Sequence, residues 1–251
     1  MKQIGIFTAT RWELNAVRRV CSVEQTQRVG RVPVVIGRRE RCRLFLVRSG
    51  MGFARAEEVG RQILSAYPID LAVSTGYACA LTPASSIGEL LIGSEVLLCR
   101  DQEKQRAGDR VIECSPEHGL IGVRAASEAQ VAAVRGRLVT FPRVLWRAEQ
   151  KRAMAAKTDA IGLAMEDAAV GSVAAEREIP FVAFRAVSDL LDEDLPLDFN
   201  KSLGSGGWFR VAGSCLLRPS CLIGLNRLRV QAGMASGCLT RFFETYLDLV
   251  N

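Results

Sequence analysis

The stretch FVAFRAVSDLLDEDLP, from Phe181 to Pro196, changes from apolar to acidic about half-way along. Its first seven residues are apolar or small except for Arg185, which predicts a strand buried on both faces. Ser188 and Asp189 then open a run of four acids within six residues. These two residues have two interpretations. They cap a following turn or helix, or they place a carboxylate at the dry end of a buried strand.

The length and composition favour one large α/β domain. The chain has 251 residues, of which 49% are hydrophobic, so it can bury a substantial core. We predict a single domain over residues 1–251, with a C-terminal helical extension from about residue 205 to 251. No apolar run approaches the ~18 residues of a membrane span, and the first strand carries no signal-peptide pattern. A cytoplasmic protein is expected.

The cysteine and histidine content excludes several classes of enzyme. Eight cysteines without a CxxC pair fit reduced core residues better than a disulfide framework or a zinc site. The single histidine, His118, lies in a polar stretch that we interpret as a loop, and there is no GxSxG motif, which disfavours Ser-His-Asp and Cys-His hydrolases. The net charge is +6, but no aromatic stacking pattern accompanies the arginines that carry it, which disfavours nucleic-acid binding. We expect no metal and no nucleic-acid partner.

Strand and helix patterns alternate along the chain. Strands are predicted near residues 3–9, 32–37, 43–49, 70–76, 88–99, 137–141, 160–165 and 180–189. Helices are predicted from about residue 11 and at 55–67, 126–136, 148–158 and 166–178, followed by C-terminal helices, with a variable loop at about 101–116. This order predicts an α/β fold with a mixed, mostly parallel central sheet flanked by helices.

Acidic residues follow three of the predicted strands. Glu13 comes just after the first strand, Glu166 follows residues 160–165, and Asp189 ends the strand at 180–189. Ligands of open α/β sheets bind beyond the carboxyl ends of the strands, so we expect these side chains to converge at one edge of the sheet. Each alone is more often a cap than a catalyst, but the three together favour a functional site.

The motif SGMGFAR at residues 49–55 offers an alternative function. Gly50 and Gly52 follow a strand, as in a dinucleotide-binding loop. However, Arg55 occupies the third glycine position, and Asp70, about twenty residues further on, precedes its strand instead of ending it. The pattern therefore disfavours a nicotinamide-dependent oxidoreductase. The glycines either let backbone approach a ligand or make a turn.

Five motifs resemble, in order and spacing, the signatures of the nucleoside phosphorylase superfamily: IGIFTATRWEL, SGMG, VSTG, AMEDAAV and PFVAFRAVSD. The resemblance covers about residues 3–200. Its most specific parts are the Met-Glu pair before a helix and the strand ending in Arg-x-x-Ser-Asp. The chain is similar to the branch that contains 5′-methylthioadenosine/S-adenosylhomocysteine nucleosidases and hopanoid-associated phosphorylases. The resemblance implies a partly barrel-like, phosphorylase/hydrolase-like fold, cleavage of a purine nucleoside without a cofactor, and a homo-oligomer.

The resemblance also implies catalytic roles. Asp189 would protonate or hydrogen-bond N7 of the leaving purine, and its dry setting would favour the protonated form. Ser188 and Arg185 would position Asp189 and close the site electrostatically. Glu13 would orient the attacking water.

Substrate contacts are implied in the same way. Glu166 would hold the ribose 2′- and 3′-hydroxyls, and Met165 would pack against the sugar. The other residues that the resemblance places at the site are Val144 and Leu145, facing the purine, and Tyr77 and Ala78, bordering it.

The nucleophile is the least determined part of this prediction. Phosphorylases of the superfamily carry an arginine in the Gly-Thr turn, and the corresponding AVSTGYA has none. Water is therefore the favoured acceptor. Phosphate remains the alternative co-substrate, with Arg11, Arg48 and Gly50 as its candidate ligands. A phosphorylase, including a hopanoid-associated one acting on an adenosyl lipid, and a non-catalytic nucleoside-binding protein are the other functions left open.

Overall fold

The structure is a computed structural model that describes residues 1–99, 110–202 and 219–250. The strands in this part of the chain are β1 Lys2–Thr8, β2 Ser22–Val29, β3 Val32–Arg39, β4 Cys42–Arg48, β5 Leu71–Ala80, β6 Leu90–Leu98, β7 Arg110–Glu113, β8 Ala133–Thr140, β9 Gly162–Ala164 and β10 Phe181–Asp189. The helices are α1 Arg11–Arg18, α2 Phe53–Ala66, α3 Pro116–Glu128, α4 Ala148–Thr158, α5 Asp167–Ala175 and α6 Pro219–Leu249, with a 3₁₀ turn at Phe199–Ser202.

Five strands close into a ring. The strand order in the sheet is β10-β6-β8-β9-β5-β1-β4-β3-β2. The first strand of this order, β10, also pairs with the fifth, β5. The strands β5, β9, β8, β6 and β10 therefore form a small closed barrel, and β1, β4, β3 and β2 continue from β5 as an open sheet. The predicted partly barrel-like sheet is confirmed.

The sheet is mixed, as predicted, although its antiparallel share is larger than expected. Of the ten pairings between described strands, five are parallel, including β1–β4, β1–β5 and β10–β5. The other five are antiparallel. The hairpins β2–β3 and β3–β4 supply two of these, and closing the barrel adds others at β5–β9 and β6–β10.

Helices cover both faces of the sheet. On one face α5, an apolar helix with eight buried residues, packs beside β5. On the other face, the second half of α6 buries Phe242, Phe243 and Tyr246 against Phe184 of β10, with ring centroids 4.7 Å apart for Phe184 and Phe242. Such edge-to-face pairs add about 0.5–1.5 kcal/mol beyond burial. The described part of the predicted C-terminal extension thus contributes to the main core.

The helix predicted at 126–136 is wrong. The helix α3 ends at Glu128, Gln130 has a positive φ of 53° that cannot continue it, and β8 begins at Ala133. The alanines around position 130 favour helix, but residues 133–140 pair along their whole length with β6. Strand pairing inside the barrel outweighs local propensity here.

Two further predictions need correction. His118 lies in the first turn of α3 and is buried, because Ser115 caps this helix and Pro116 occupies its first position. The predicted loop at 101–116 contains β7 and the start of α3, while residues 101–109 lie outside the described chain. The strand β2 was not predicted, because its side chains are almost all exposed and show no apolar alternation.

Among the described helices, none combines the length and apolarity needed to cross a membrane.

Candidate active site

One cavity of about 420 Å³ lies at the edge of the sheet where β1, β5 and β10 end. It is lined by Ala9, Thr10, Glu13, Met51, Tyr77, Ala78, Cys79, Val144, Leu145, Leu163, Ala164, Met165, Glu166, Ser188, Asp189, Leu195, Phe199 and Leu228. All three predicted carboxylates are among these residues. The lining is otherwise mainly apolar, and the volume suits a nucleoside-sized ligand.

Glu13 is both a cap and a member of the cavity wall. It is the third residue of α1, and its Oε2 accepts hydrogen bonds from Thr10 N (2.6 Å) and Thr10 Oγ1 (2.9 Å). This is a capping box, in which the glutamate and the N-cap threonine satisfy each other's backbone groups. The other oxygen, Oε1, accepts from Tyr77 N (2.8 Å) on β5. Three donors therefore hold the carboxyl group in one position.

Glu166 occupies the N-cap position of α5 but makes no capping hydrogen bond. Thr140 caps this helix instead, since its Oγ1 accepts a hydrogen bond from Ala168 N (2.9 Å). The side chain of Glu166 instead accepts from Gly52 N (2.8 Å) with Oε1, and its Oε2 lies 4.0 Å from Arg185 Nη2. Burial raises the pKa of Glu166 to about 7, while Arg185 and the Gly52 amide partly oppose the shift.

The contact between Gly52 and Glu166 explains the glycines of the SGMG loop. Gly50 and Gly52 have φ values of 83° and 95°, a region that glycine enters at little cost. The resulting turn aims the Gly52 amide at the Glu166 carboxyl group. The glycines thus bring backbone towards a site residue, which was one of the two interpretations of this motif.

A β-bulge places Asp189 at the cavity. On β10, Val187 pairs with Ala78 and Asp189 with Cys79, so Ser188 is an extra residue opposite β5. Bulges of this kind redirect side chains and are frequent beside active sites. The Ser188 hydroxyl donates to Asp189 Oδ1 (2.9 Å), as expected for a residue that positions Asp189.

The main partner of Asp189 is a residue that sequence reasoning missed. Lys151 of α4 is completely buried, and its Nζ donates to Asp189 Oδ2 at 2.6 Å. A dry environment alone would favour the protonated carboxyl group, but an adjacent ammonium stabilises the carboxylate. The expectation that burial keeps a proton on Asp189 therefore omits the nearest charge.

Arg185 lies behind the cavity, away from Asp189. Its guanidinium donates to Asp167 Oδ1 (2.6 Å from Nη2, 3.0 Å from Nε) and to Ser74 Oγ (3.0 Å). Both Arg185 and Asp167 are fully buried. The sequence contains a clue to this pair, because an arginine in a buried strand requires an acidic partner. The link of Arg185 to the cavity runs through Glu166, and the predicted positioning of Asp189 by Arg185 corresponds to no contact among the described residues.

Gly76 allows Glu13 and Arg185 to approach the same strand. A Cβ atom at this position would overlap the Glu13 carboxyl group and lie 2.7 Å from Arg185 Nη1. Only a residue without a side chain leaves room for both groups.

The remaining predicted contacts also line the cavity. Met165 and Ala78 lie in its wall, as do Val144 and Leu145. Tyr77 borders it with its phenol oxygen 2.7 Å from Ser236 Oγ of α6. Sequence reasoning missed Cys79, Leu195, Phe199 and Leu228, whose letters show only apolar patterning and which reach the cavity through tertiary folding.

The candidate phosphate ligands occupy a different place. Arg11, Arg48 and Gly50 line a groove of about 1190 Å³ beside the cavity, together with Arg31 and Arg55. Among the described residues, no lysine or arginine belongs to the cavity lining itself. The described part of the chain also contains no cluster of three or more His, Cys, Asp or Glu arranged to hold a metal ion.

Comparison with known families agrees with this architecture. The family model described as the phosphorylase superfamily matches residues 3–204. The chain belongs to the phosphorylase superfamily. The match spans the same region as the motifs that predicted this family, and the prediction is confirmed. The α6 helix lies beyond the matched residues.

Curated relatives are similar to this chain over most of its length. The 5′-methylthioadenosine/S-adenosylhomocysteine nucleosidase of Shewanella loihica is 26% identical over 217 residues, which cover 82% of this chain and 94% of that protein. The protein of the same name from Buchnera aphidicola is 22% identical over 211 residues, covering 80% of this chain and 89% of that protein.

Solved structures of other superfamily members share the fold. The Helicobacter pylori 5′-methylthioadenosine/S-adenosylhomocysteine nucleosidase superposes with a TM-score of 0.79 at 16% identity, covering 98% of both chains. The futalosine hydrolase of the same organism also gives 0.79 at 16% identity, covering 98% of this chain and 97% of that one. The predicted phosphorylase/hydrolase-like fold is confirmed.

Proposed function

We propose that this protein hydrolyses the N-ribosidic bond of a purine nucleoside of the adenosyl class. The observation that carries the proposal is the cavity itself, which holds Glu13, Glu166 and Asp189 between mainly apolar walls. Cleaving this bond leaves positive charge on the ribose and negative charge on the purine. A site for it needs carboxylates near the sugar and a proton source near the base.

The three carboxyl groups divide these tasks. Asp189, at the end of β10, faces the leaving purine and provides the proton or hydrogen bond at N7. Glu166 accepts the ribose hydroxyls, and Met165 packs on the sugar. Glu13 orients water towards C1′ and accepts its proton. As the C1′–N9 bond breaks, its electron pair leaves with the purine, and the Glu13 and Glu166 carboxylates stabilise the oxocarbenium ion.

Adenosyl substrates are supported by the curated relatives, whose names specify 5′-methylthioadenosine and S-adenosylhomocysteine. The apolar side chains of Val144, Leu145 and Phe199 suit a purine ring. The arrangement supports an enzyme more than a non-catalytic binding protein, because binding a neutral nucleoside needs no buried group like Glu166, whose pKa is raised to about 7 by burial.

Water is the proposed nucleophile. A phosphate dianion needs cationic or backbone donors, whereas the described cavity lining supplies the Glu13 carboxylate and no arginine or lysine. Phosphorolysis is the second candidate, because the groove that contains Arg11 and Arg48 adjoins the cavity through Ala9, Thr10 and Met51.

The test is a product analysis with 5′-methylthioadenosine at zero and at high phosphate. Hydrolysis predicts free base and free 5-methylthioribose at a rate that phosphate does not raise. Glu13→Gln should lose nearly all activity, and Arg11→Ala should stay close to Arg18→Ala, its control on the same helix. A phosphorylated sugar as the main product, with collapse in Arg11→Ala alone, would establish phosphorolysis instead. No base release from any purine nucleoside would refute the proposal.

We further propose that the protein acts in the cytoplasm as a homo-oligomer without a resident cofactor. Buried free thiols at Cys42, Cys114 and Cys238 support a reducing compartment. Size measurement in solution tests the oligomer, and activity after exhaustive dialysis tests the cofactor.

A further inference from the structure

Lys151 makes three hydrogen bonds from a fully buried position. Its Nζ donates to Asp189 Oδ2 (2.6 Å), to Leu190 O (2.9 Å) and to Glu193 O (2.8 Å). An ammonium has three N–H donors and no acceptor, so these partners match the protonated form completely. A neutral amine would direct its lone pair at one of these oxygens.

The surrounding chain fixes this geometry. The start of α4 is tied to the segment after β10, because Asp194 accepts from Ala148 N (2.8 Å) and from Arg147 Nη1 (2.7 Å). Lys151 is one turn further along α4 and thus reaches the end of β10. Burying an ammonium is costly unless it is paired and hydrogen-bonded, which makes its location directly behind a cavity carboxylate informative.

Asp189 and Lys151 together carry no net charge. Cys79 interacts with both side chains, and burial raises the pKa of its thiol well above the ordinary value, so it stays neutral. The three hydrogen bonds of Lys151 match an ammonium, so the proton nearest to the Asp189 carboxylate is the one that Lys151 Nζ donates at 2.6 Å.

We propose that Asp189 and Lys151 act as one unit in protonating the leaving purine, with Lys151 as the positioning residue that holds the proton behind Asp189. This inference rests on the proposed function and identifies where the proton comes from. Asp189 touches the base, while Lys151 acts through Asp189 only.

The proton balance is simple. As the C1′–N9 bond breaks and its electron pair leaves with the purine, the Lys151 ammonium passes one proton to the Asp189 carboxylate, and Asp189 passes that proton on to N7. The pair then consists of an amine and a carboxylate and carries one negative charge. It regains a proton from water after the base departs.

The second buried cation of the site cannot work this way. Arg185 also pairs with a buried acid, Asp167, but a guanidinium does not release its proton in proteins, whereas an ammonium can. The structure therefore has one permanent cation behind Glu166 and one proton-holding cation behind Asp189.

The experiment compares two substrates in Lys151→Met, which keeps an unbranched side chain of similar length. The probes are 5′-methylthioadenosine and its 6-chloropurine counterpart, whose base leaves more readily and needs a proton less. We expect kcat on 5′-methylthioadenosine to fall on the order of 10²–10⁴-fold. The fall on the chloropurine substrate should be at least tenfold smaller, and KM should change little. Lys157→Met, an exposed position on the same helix, is the control and should match wild type.

Three outcomes are decisive against the inference. If Lys151→Met is as active as wild type, Asp189 alone is the acid. If both substrates lose activity equally, Lys151 only maintains the structure. If wild type releases no base, the proposed function fails, and this inference fails with it; that outcome is separate because it appears before any variant is compared.

A double variant covers the case in which Lys151→Met does not fold. Lys151→Met/Asp189→Asn removes both charges, which avoids a buried unpaired ion. Because Lys151 acts through Asp189, the double variant should have the same kcat as Asp189→Asn. A further loss beyond Asp189→Asn would overturn the inference.

Discussion

Replacing Glu166 with glutamine should make the protein more stable at neutral pH while removing its activity. The Glu166 carboxyl group is buried, it accepts one hydrogen bond from Gly52 N at 2.8 Å, and it forms a long ion pair with Arg185 at 4.0 Å. A glutamine oxygen can keep the Gly52 bond. What the substitution removes is the cost of ionising a carboxyl group in this place.

The pH window and the magnitude follow from the raised pKa. The pKa is about 7 in the folded protein, compared with 4.5 for an ordinary glutamate. Between these values the folded state keeps a proton that the unfolded state has lost, so stability falls as pH rises through the window. At about 1.4 kcal/mol per unit, the full penalty above pH 7 is on the order of 3 kcal/mol, and it is absent below about pH 4.5.

The assay is denaturant unfolding of wild type, Glu166→Gln and the exposed control Glu149→Gln at pH 5 and pH 8. The unfolding free energy of Glu166→Gln minus that of wild type should increase by on the order of 2–3 kcal/mol from pH 5 to pH 8. For Glu149→Gln this difference should hardly change. A difference that is independent of pH, or one that shrinks as pH rises, would refute the reasoning. Below its pKa of about 7, Glu166 holds a proton, and accepting the ribose hydroxyls favours the carboxylate. An uncleavable adenosine analogue should therefore release a proton when it binds at pH 6.

Three other predictions test the remaining parts of the site. Asp189→Asn should lower kcat by about 10²–10⁴-fold, and the protein should melt at a lower temperature because the buried Lys151 ammonium loses its counter-charge; an unchanged kcat would exclude Asp189 as the acid. A 2′-deoxyadenosyl substrate should be cleaved less efficiently by roughly 1–3 kcal/mol of transition-state stabilisation, measured as kcat/KM; equal efficiency would remove Glu166 from its role at the ribose. Gly76→Ala should cost about 1–3 kcal/mol of stability and displace Glu13, which unfolding and activity assays will detect; a stable, active variant would show that the strand has spare room.

Sequence patterns were sufficient for the parts of this fold that have strong local signals. The strand β10 and the helix α4 match their predicted ranges to within a residue, because a buried apolar run and a bounded alanine-rich segment are each characteristic. Glu13 and Asp189 were found because the carboxyl ends of parallel strands meet at one edge of the sheet, whereas Glu166 follows β9, which is antiparallel to β5. This rule needs no knowledge of side-chain contacts.

The missing parts depend on tertiary packing. Lys151 follows a glutamine and precedes an arginine, and nothing in those letters distinguishes a buried ammonium from a solvated one. The first half of β8, residues 133–136, was assigned to a helix because its barrel partner, β6, lies about forty residues away in the chain, while the second half was predicted as a strand. The β-bulge at Ser188 is visible only in the pairing of β10 with β5.

Two hidden cations lie behind two of the three acids in this apolar cavity. Three carboxylates without partners would repel each other and the lining would favour their neutral forms, which would leave no charge to stabilise an oxocarbenium ion. Arg185 lies behind Glu166, and Lys151 lies behind Asp189, while neither side chain is part of the cavity lining. A ribose at Glu166 would therefore meet the negative side of its pair, whereas a purine at Asp189 would meet the proton-donating pair. A neutral nucleoside gains little from that field, but the positively charged ribose of the transition state gains much more, and this difference is what accelerates the reaction.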